Sequence, residues 1–90
     1  MSATRTHSHR AEAKVLFSRF CRTIGKSEGT SPGCLSLDYT ACYGGYAIIE
    51  YMEGGGESKP FGRERFTPRD FCSAITLAIE TAEYLRREQK

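Results

Sequence analysis

Apolar and polar positions along this chain change their period twice. From about His9 to Ile24, the apolar groups Ala13, Leu16, Phe17, Phe20 and Ile24 recur at the i, i+3, i+4, i+7 spacing of an amphipathic helix. Ser8 is the candidate N-cap. Gly25 follows at the left-handed C′ position, and Arg19, Arg22 and Lys26 sit near the helix C-terminus, where positive charge complements the dipole. Residues 26–33 (Lys-Ser-Glu-Gly-Thr-Ser-Pro-Gly) then read as a loop.

From Cys34 to Cys42 the period drops to two. Leu35, Leu37, Tyr39 and Ala41 fall on one face, and Ser36, Asp38 and Thr40 on the other. Tyr43-Gly44-Gly45-Tyr46 is a hairpin candidate, because paired glycines supply the positive φ of a primed turn. A second strand covers Tyr46 to Met52 and is apolar on both faces, as befits the central strand of a sheet. A two-residue loop would pair Tyr43 with Tyr46, Ala41 with Ile48 and Tyr39 with Glu50. A loop one residue longer or shorter would bring Ala47, Ile49 and Tyr51 to that face instead, and the pattern leaves both registers open.

Glu53-Gly-Gly-Gly-Glu57 is a flexible connection to a third strand, expected over Lys59 to Phe66, with Pro60 at its start and a bulge at Gly62. Thr67, Pro68 and Asp70 then open a helix as N-cap, N1 and N3. Its apolar stripe is Phe71, Ile75, Ala78, Ala82 and Leu85; Glu80, Glu83, Arg86, Arg87 and Glu88 face water. The expectation is an α+β domain in the order α-β-β-β-α. A three-stranded antiparallel sheet carries two amphipathic helices on one face, over residues 9–90, behind a disordered polar tail of residues 1–8.

Ninety residues make one domain with a thin core, which dimerisation would help. At 39% hydrophobic and 27% charged residues, the composition is that of an ordinary soluble protein. No apolar run reaches membrane-spanning length, and residues 1–10 lack the apolar core of a secretory signal, so a cytoplasmic location is the default expectation. The net charge of +2 is unevenly spread. Residues 1–26 carry six basic groups against Glu12 alone, whereas residues 27–90 carry seven basic and ten acidic ones. A basic first helix could steer an anionic partner.

Little in the chain carries chemistry. Cys21, Cys34, Cys42 and Cys72 form no Cys-x-x-Cys pair, so they read as reduced, small apolar residues. Gly25-Lys26-Ser27 lacks the leading glycine of a phosphate loop, since Phe20 stands there, and it ends a helix instead of starting one. His7 and His9 are the only bases for a Cys–His pair or a metal site, and they lie in or beside the polar tail. The carboxylate pairs Glu53/Glu57 and Asp38/Glu50 show no reason for a shifted pKa. The chain is therefore expected to be non-enzymatic, without metal or cofactor.

What the core does not obviously need is a group of aromatics and arginines at one end of the sheet. The expected partner-binding residues are Tyr43, Tyr46, Glu53, Glu57, Arg63, Arg65 and Arg69, since Tyr and Arg dominate interface hot spots. An alternative nucleic-acid surface would use Lys59, Arg63, Arg65 and Arg69 with Arg10 and Lys14.

The element order is similar to that of the double-stranded RNA-binding domain. However, Thr67-Pro68-Arg69-Asp70-Phe71 stands where that family has its phosphate-gripping lysines, so the assignment is set aside. Gly45 to Leu85 resembles the AP2 and integrase-arm DNA-binding fold, which would have Arg63 and Arg65 alternate on one face of strand three. By size and architecture the whole chain resembles small bacteriophage-borne accessory proteins, including anti-CRISPR inhibitors. That resemblance implies a compact inhibitor or adaptor that masks a surface of a host protein or nucleoprotein complex, with homodimerisation open to it.

Overall fold

The computed structural model of the chain describes the backbone of residues 2–40, 44–62 and 64–89, with side chains from residue 10 onward. The elements in chain order are helix α1 (Ser2–Ile24), strands β1 (Leu35–Thr40), β2 (Gly45–Tyr51) and β3 (Glu57–Ser58), and helix α2 (Pro68–Glu88). The strands form an antiparallel sheet in the order β1-β2-β3, so the architecture is α-β-β-β-α.

Helix α1 starts upstream of the expected His9, because polar residues with adequate propensity extend a helix once it is nucleated. Its end follows from local chemistry. Gly25 takes φ +75, Lys26 N–H donates to the Cys21 carbonyl (2.9 Å) and Gly25 N–H to that of Arg22 (3.3 Å). These two bonds satisfy carbonyls that the helix leaves orphaned. Residues 27–29 then run beside the start of β1, exchanging bonds between Gly29, Leu35 and Ser27.

The β1–β2 register pairs Leu35 with Glu50, Leu37 with Ile48 and Tyr39 with Tyr46. Four residues therefore separate the strands instead of two, but the faces are those of the two-residue alternative. Glu50 lands beside Leu35, where its carboxylate is held by Lys26 Nζ at 2.9 Å. The expected pairing of Tyr43, with Tyr43 and Ala41 themselves, lies outside the described residues.

The third strand departs most from expectation. Pairing with β2 occurs at Glu57–Ser58 and again at Phe66, which exchanges two backbone bonds with Tyr46 (2.7 and 2.8 Å). Between them the chain leaves the sheet through a turn closed by Gly62 N–H to the Lys59 carbonyl. Pro60 lacks the donor a ladder requires, and Phe61 turns toward Phe20 (ring centroids 5.4 Å apart). Helix α2 opens immediately after Phe66. The Thr67 side chain accepts from Asp70 N–H at 3.3 Å, and Pro68 occupies the first turn.

The core is a single cluster: Ala13, Phe17, Phe20 and Cys21 from α1; Leu35, Tyr46 and Ile48 from the sheet; Phe71, Cys72, Ile75 and Ile79 from α2. Both helices thus cover one face of the sheet. A run of ring contacts links Tyr39, Tyr46, Phe71, Phe66, Phe61 and Phe20, with centroid spacings of 4.7–6.4 Å. Each such pair contributes about 0.5–1.5 kcal/mol beyond burial. The core stripe of α2 is rotated from the expected one. Cys72 and Ile79 face inward, Ala78 is half-buried, and Leu85 is 54% exposed.

Candidate interaction surface

The structure disperses the residues expected to form one binding surface. Tyr46 is not at an exposed tip; it is 3% exposed and central to the aromatic run, because the four-residue connection moves the tip away from it. Tyr43 and Arg63 lie outside the described residues. Arg65 is not on a strand face. Its guanidinium is bound to Asp38 (2.6 Å) and donates to the Gly45 carbonyl (3.1 Å), with its side chain 19% exposed. It clamps the chain after the excursion back onto β1 and β2, which commits both Nη1 and Nη2 to internal partners. The strand-three arginine ladder of the AP2-like reading is therefore absent where the structure describes that segment. Glu53, Glu57, Lys59 and Arg69 are exposed. Glu53 sits on a short 3₁₀ turn in which Gly54 takes φ +83. Of the alternative basic set, Lys14 is exposed and Arg10 lies 4.6 Å from the Tyr39 ring centroid, over its face.

Cys21 and Cys72 are placed for packing, not for reaction. Burial pushes the Cys21 thiol up to about 11, with the negative charge of Glu28 adding to it. Burial does the same for Cys72, again to about 11, reinforced by the charge of Glu12 and a hydrogen bond to it. Neither is a thiolate at neutral pH, so neither is primed as a nucleophile. Among the described residues no cluster of three His, Cys, Asp or Glu side chains could hold a metal ion. No helix among them is long and apolar enough to cross a membrane.

A strongly apolar concavity lies elsewhere, along the outer side of α2. Phe61 and Phe66 form one wall; Ala74, Leu77, Ala78, Thr81, Ala82 and Leu85 form the floor and the other wall, around about 520 Å³ of open groove. Leu77 is 65% exposed and Leu85 54%. The groove exists because α2 carries two apolar stripes side by side. One, through Phe71, Cys72, Ile75 and Ile79, is used by the core. The other, at 74, 78, 81 and 85, keeps the i, i+4, i+7, i+11 spacing of a helix-packing seam and runs from half-buried Ala74 and Ala78 to exposed Thr81 and Leu85. The looped-out Phe61 and the bridge at Phe66 supply the aromatic wall. The signal was present in the sequence as this second stripe, interleaved with the first.

Comparison of the chain with protein-family models, with curated proteins and with solved structures gave no match.

Proposed function

We propose that this chain is a non-enzymatic interaction protein, an inhibitor or adaptor that covers a surface of a larger protein or nucleoprotein complex. The observation that supports this reading is the α2 groove: a long, open, almost wholly apolar concavity beside exposed Leu77, Tyr84 and Leu85. Catalytic pockets combine an apolar wall with convergent polar groups. This groove has Thr81 as its one polar lining side chain, and its shape follows about three turns of a helix, which suits a polypeptide occupant. The nucleic-acid alternative has less behind it, since Arg65 is engaged with Asp38 and Arg10 with Tyr39.

A photo-cross-linking amino acid in place of Leu77 tests the reading, with the same group at exposed Glu28 as control. The expected result is a covalent adduct to a polypeptide from the Leu77 position and none from the control. Equal adducts from both positions, or none from Leu77, would overturn it.

A further inference from the structure

We infer that the outer edge of β1 takes up an extended acidic peptide from a partner polypeptide as a further strand of the sheet. The site lies apart from the α2 groove and does not rest on that reading. Main-chain groups alternate sides along a strand. Cys34 turns its carbonyl toward β2, where Tyr51 N–H donates to it at 3.1 Å. Leu35 therefore turns outward: its N–H donates to the Ser27 carbonyl and its own carbonyl accepts from Gly29 N–H, both at 2.9 Å. Residues 27–29 thus fill the first place beside the edge, running parallel to β1. Leu37 and Tyr39 turn the same way as Leu35, and among the described residues no backbone group bonds to their outward N–H and C=O. Open edge groups of this kind are a template for an added strand.

The surroundings of the edge define the peptide. Phe17, Leu35 and Leu37 line a cavity of about 510 Å³ between α1 and β1. Residues directly opposite each other on paired strands share a face. The peptide residue opposite Leu37 therefore enters this cavity and is apolar. The one opposite Tyr39 falls nearest the basic turn of α1, where Arg10 lies 4.6 Å over the Tyr39 ring and Lys14, one turn on, lines the cavity. Lys14 has no ion-pair partner among the described residues, so a carboxylate is the complementary group there. Glu28 lines the opposite end, beside the covered Leu35. The edge is thus acidic where it is closed and basic where it is open, and an acidic residue fits only the open end. A second copy of β1 suits it less well, because pairing Leu37 with Tyr39 about a two-fold axis sets Asp38 against Asp38.

The probe is the peptide Thr-Glu-Thr-Val-Thr, acetylated and amidated, whose antiparallel pairing sets its Glu opposite Tyr39 and its Val opposite Leu37. It is titrated to roughly 5 mM into the isotopically labelled full chain and followed by nuclear magnetic resonance, with a dissociation constant expected on the order of 1 mM. Without peptide, the Leu37 and Tyr39 amides exchange readily with solvent, whereas that of Leu35, bonded to Ser27, is protected. With peptide, both resonances shift and their exchange slows about fivefold. N-methylation of the peptide's Val removes its donor to the Leu37 carbonyl and weakens binding about tenfold. Lys14→Glu, at an exposed position, weakens it about threefold, and a peptide with Lys in place of Glu restores it in that variant. No shift at the highest concentration, shifts at Leu77 and Leu85 instead of the edge, or indifference to N-methylation or to Lys14→Glu would each overturn the inference. Protection of the Leu37 and Tyr39 amides without peptide would also overturn it, with a doubled mass in sedimentation identifying a second copy as the occupant. The Leu77 cross-link is read independently, so the two readings stand or fall separately.

Discussion

Gly45 is the residue at which backbone geometry leaves least room. Its φ is +118, and a Cβ there would lie 2.1 Å from the Phe66 carbonyl oxygen. That neighbour is main chain and bonded to Tyr46, so it has no rotamer with which to yield. Gly45→Ala is expected to destabilise the fold by on the order of 3 kcal/mol, combining positive-φ strain with loss of the Tyr46–Phe66 bridge. The urea midpoint measures it; a change below about 0.5 kcal/mol would refute the tight contact. The buried thiols make a second prediction at this scale. Their pKa is raised from 9.0 to about 11, so the folded state holds protons that the unfolded state releases between those values. Their contribution is complete below pH 9 and is lost as pH rises from 9 toward about 11. Urea unfolding of wild type and a Cys21→Ala, Cys72→Ala variant across that window should give a shallower alkaline decline in the variant.

At the scale of elements, legibility tracks how local the deciding chemistry is. The start of α2 was readable because Thr67, Pro68 and Asp70 carry the whole signal within four residues, and the structure places the cap bond where the pattern put it. Thr67→Ala should cost about 1 kcal/mol, measured by thermal or urea unfolding, because an orphan N–H loses its acceptor. The end of α1 was readable for the same reason, through Gly25. Strand three was not. Whether Lys59 to Arg65 pairs with β2 is decided by where Phe61 finds its ring partners, across forty residues from Phe20 and outside any local pattern. The burial of Tyr46 was missed likewise, since two glycines mark a turn without fixing the length of the connection. The outward face of α2 was hidden by a helix apolar over two adjacent stripes; only packing decides which is spent on the core.

For the whole molecule, one cluster built from all five elements but the two-residue β3 implies one cooperative transition. The molecule is only 19 Å across its shortest axis, a two-layer slab in which few residues are remote from solvent. Phe71, fully buried and touching the rings of both Tyr46 and Phe66, joins α2 to the sheet. Phe71→Ala is expected to cost about 3–5 kcal/mol. Far-ultraviolet circular dichroism and tyrosine fluorescence should still report a single coincident unfolding curve. Separate midpoints would show that the helices and sheet are independent units. The groove adds to this picture a molecule whose core is complete on one side of α2 and open on the other.

The two-way backbone bond between Tyr46 and Phe66 has a consequence for how such a sequence can diverge. Helix α2 begins two residues after Phe66, so its point of departure from the sheet is pinned by main-chain atoms that every amino acid except proline supplies at both positions. Side chains beneath the helix can then be exchanged for others of similar volume without swinging its axis. The outward stripe keeps its aim while the interior drifts. Descendants of this chain would be recognisable by a glycine before the bridge and by the outer residues of α2, long after the core residues had ceased to align.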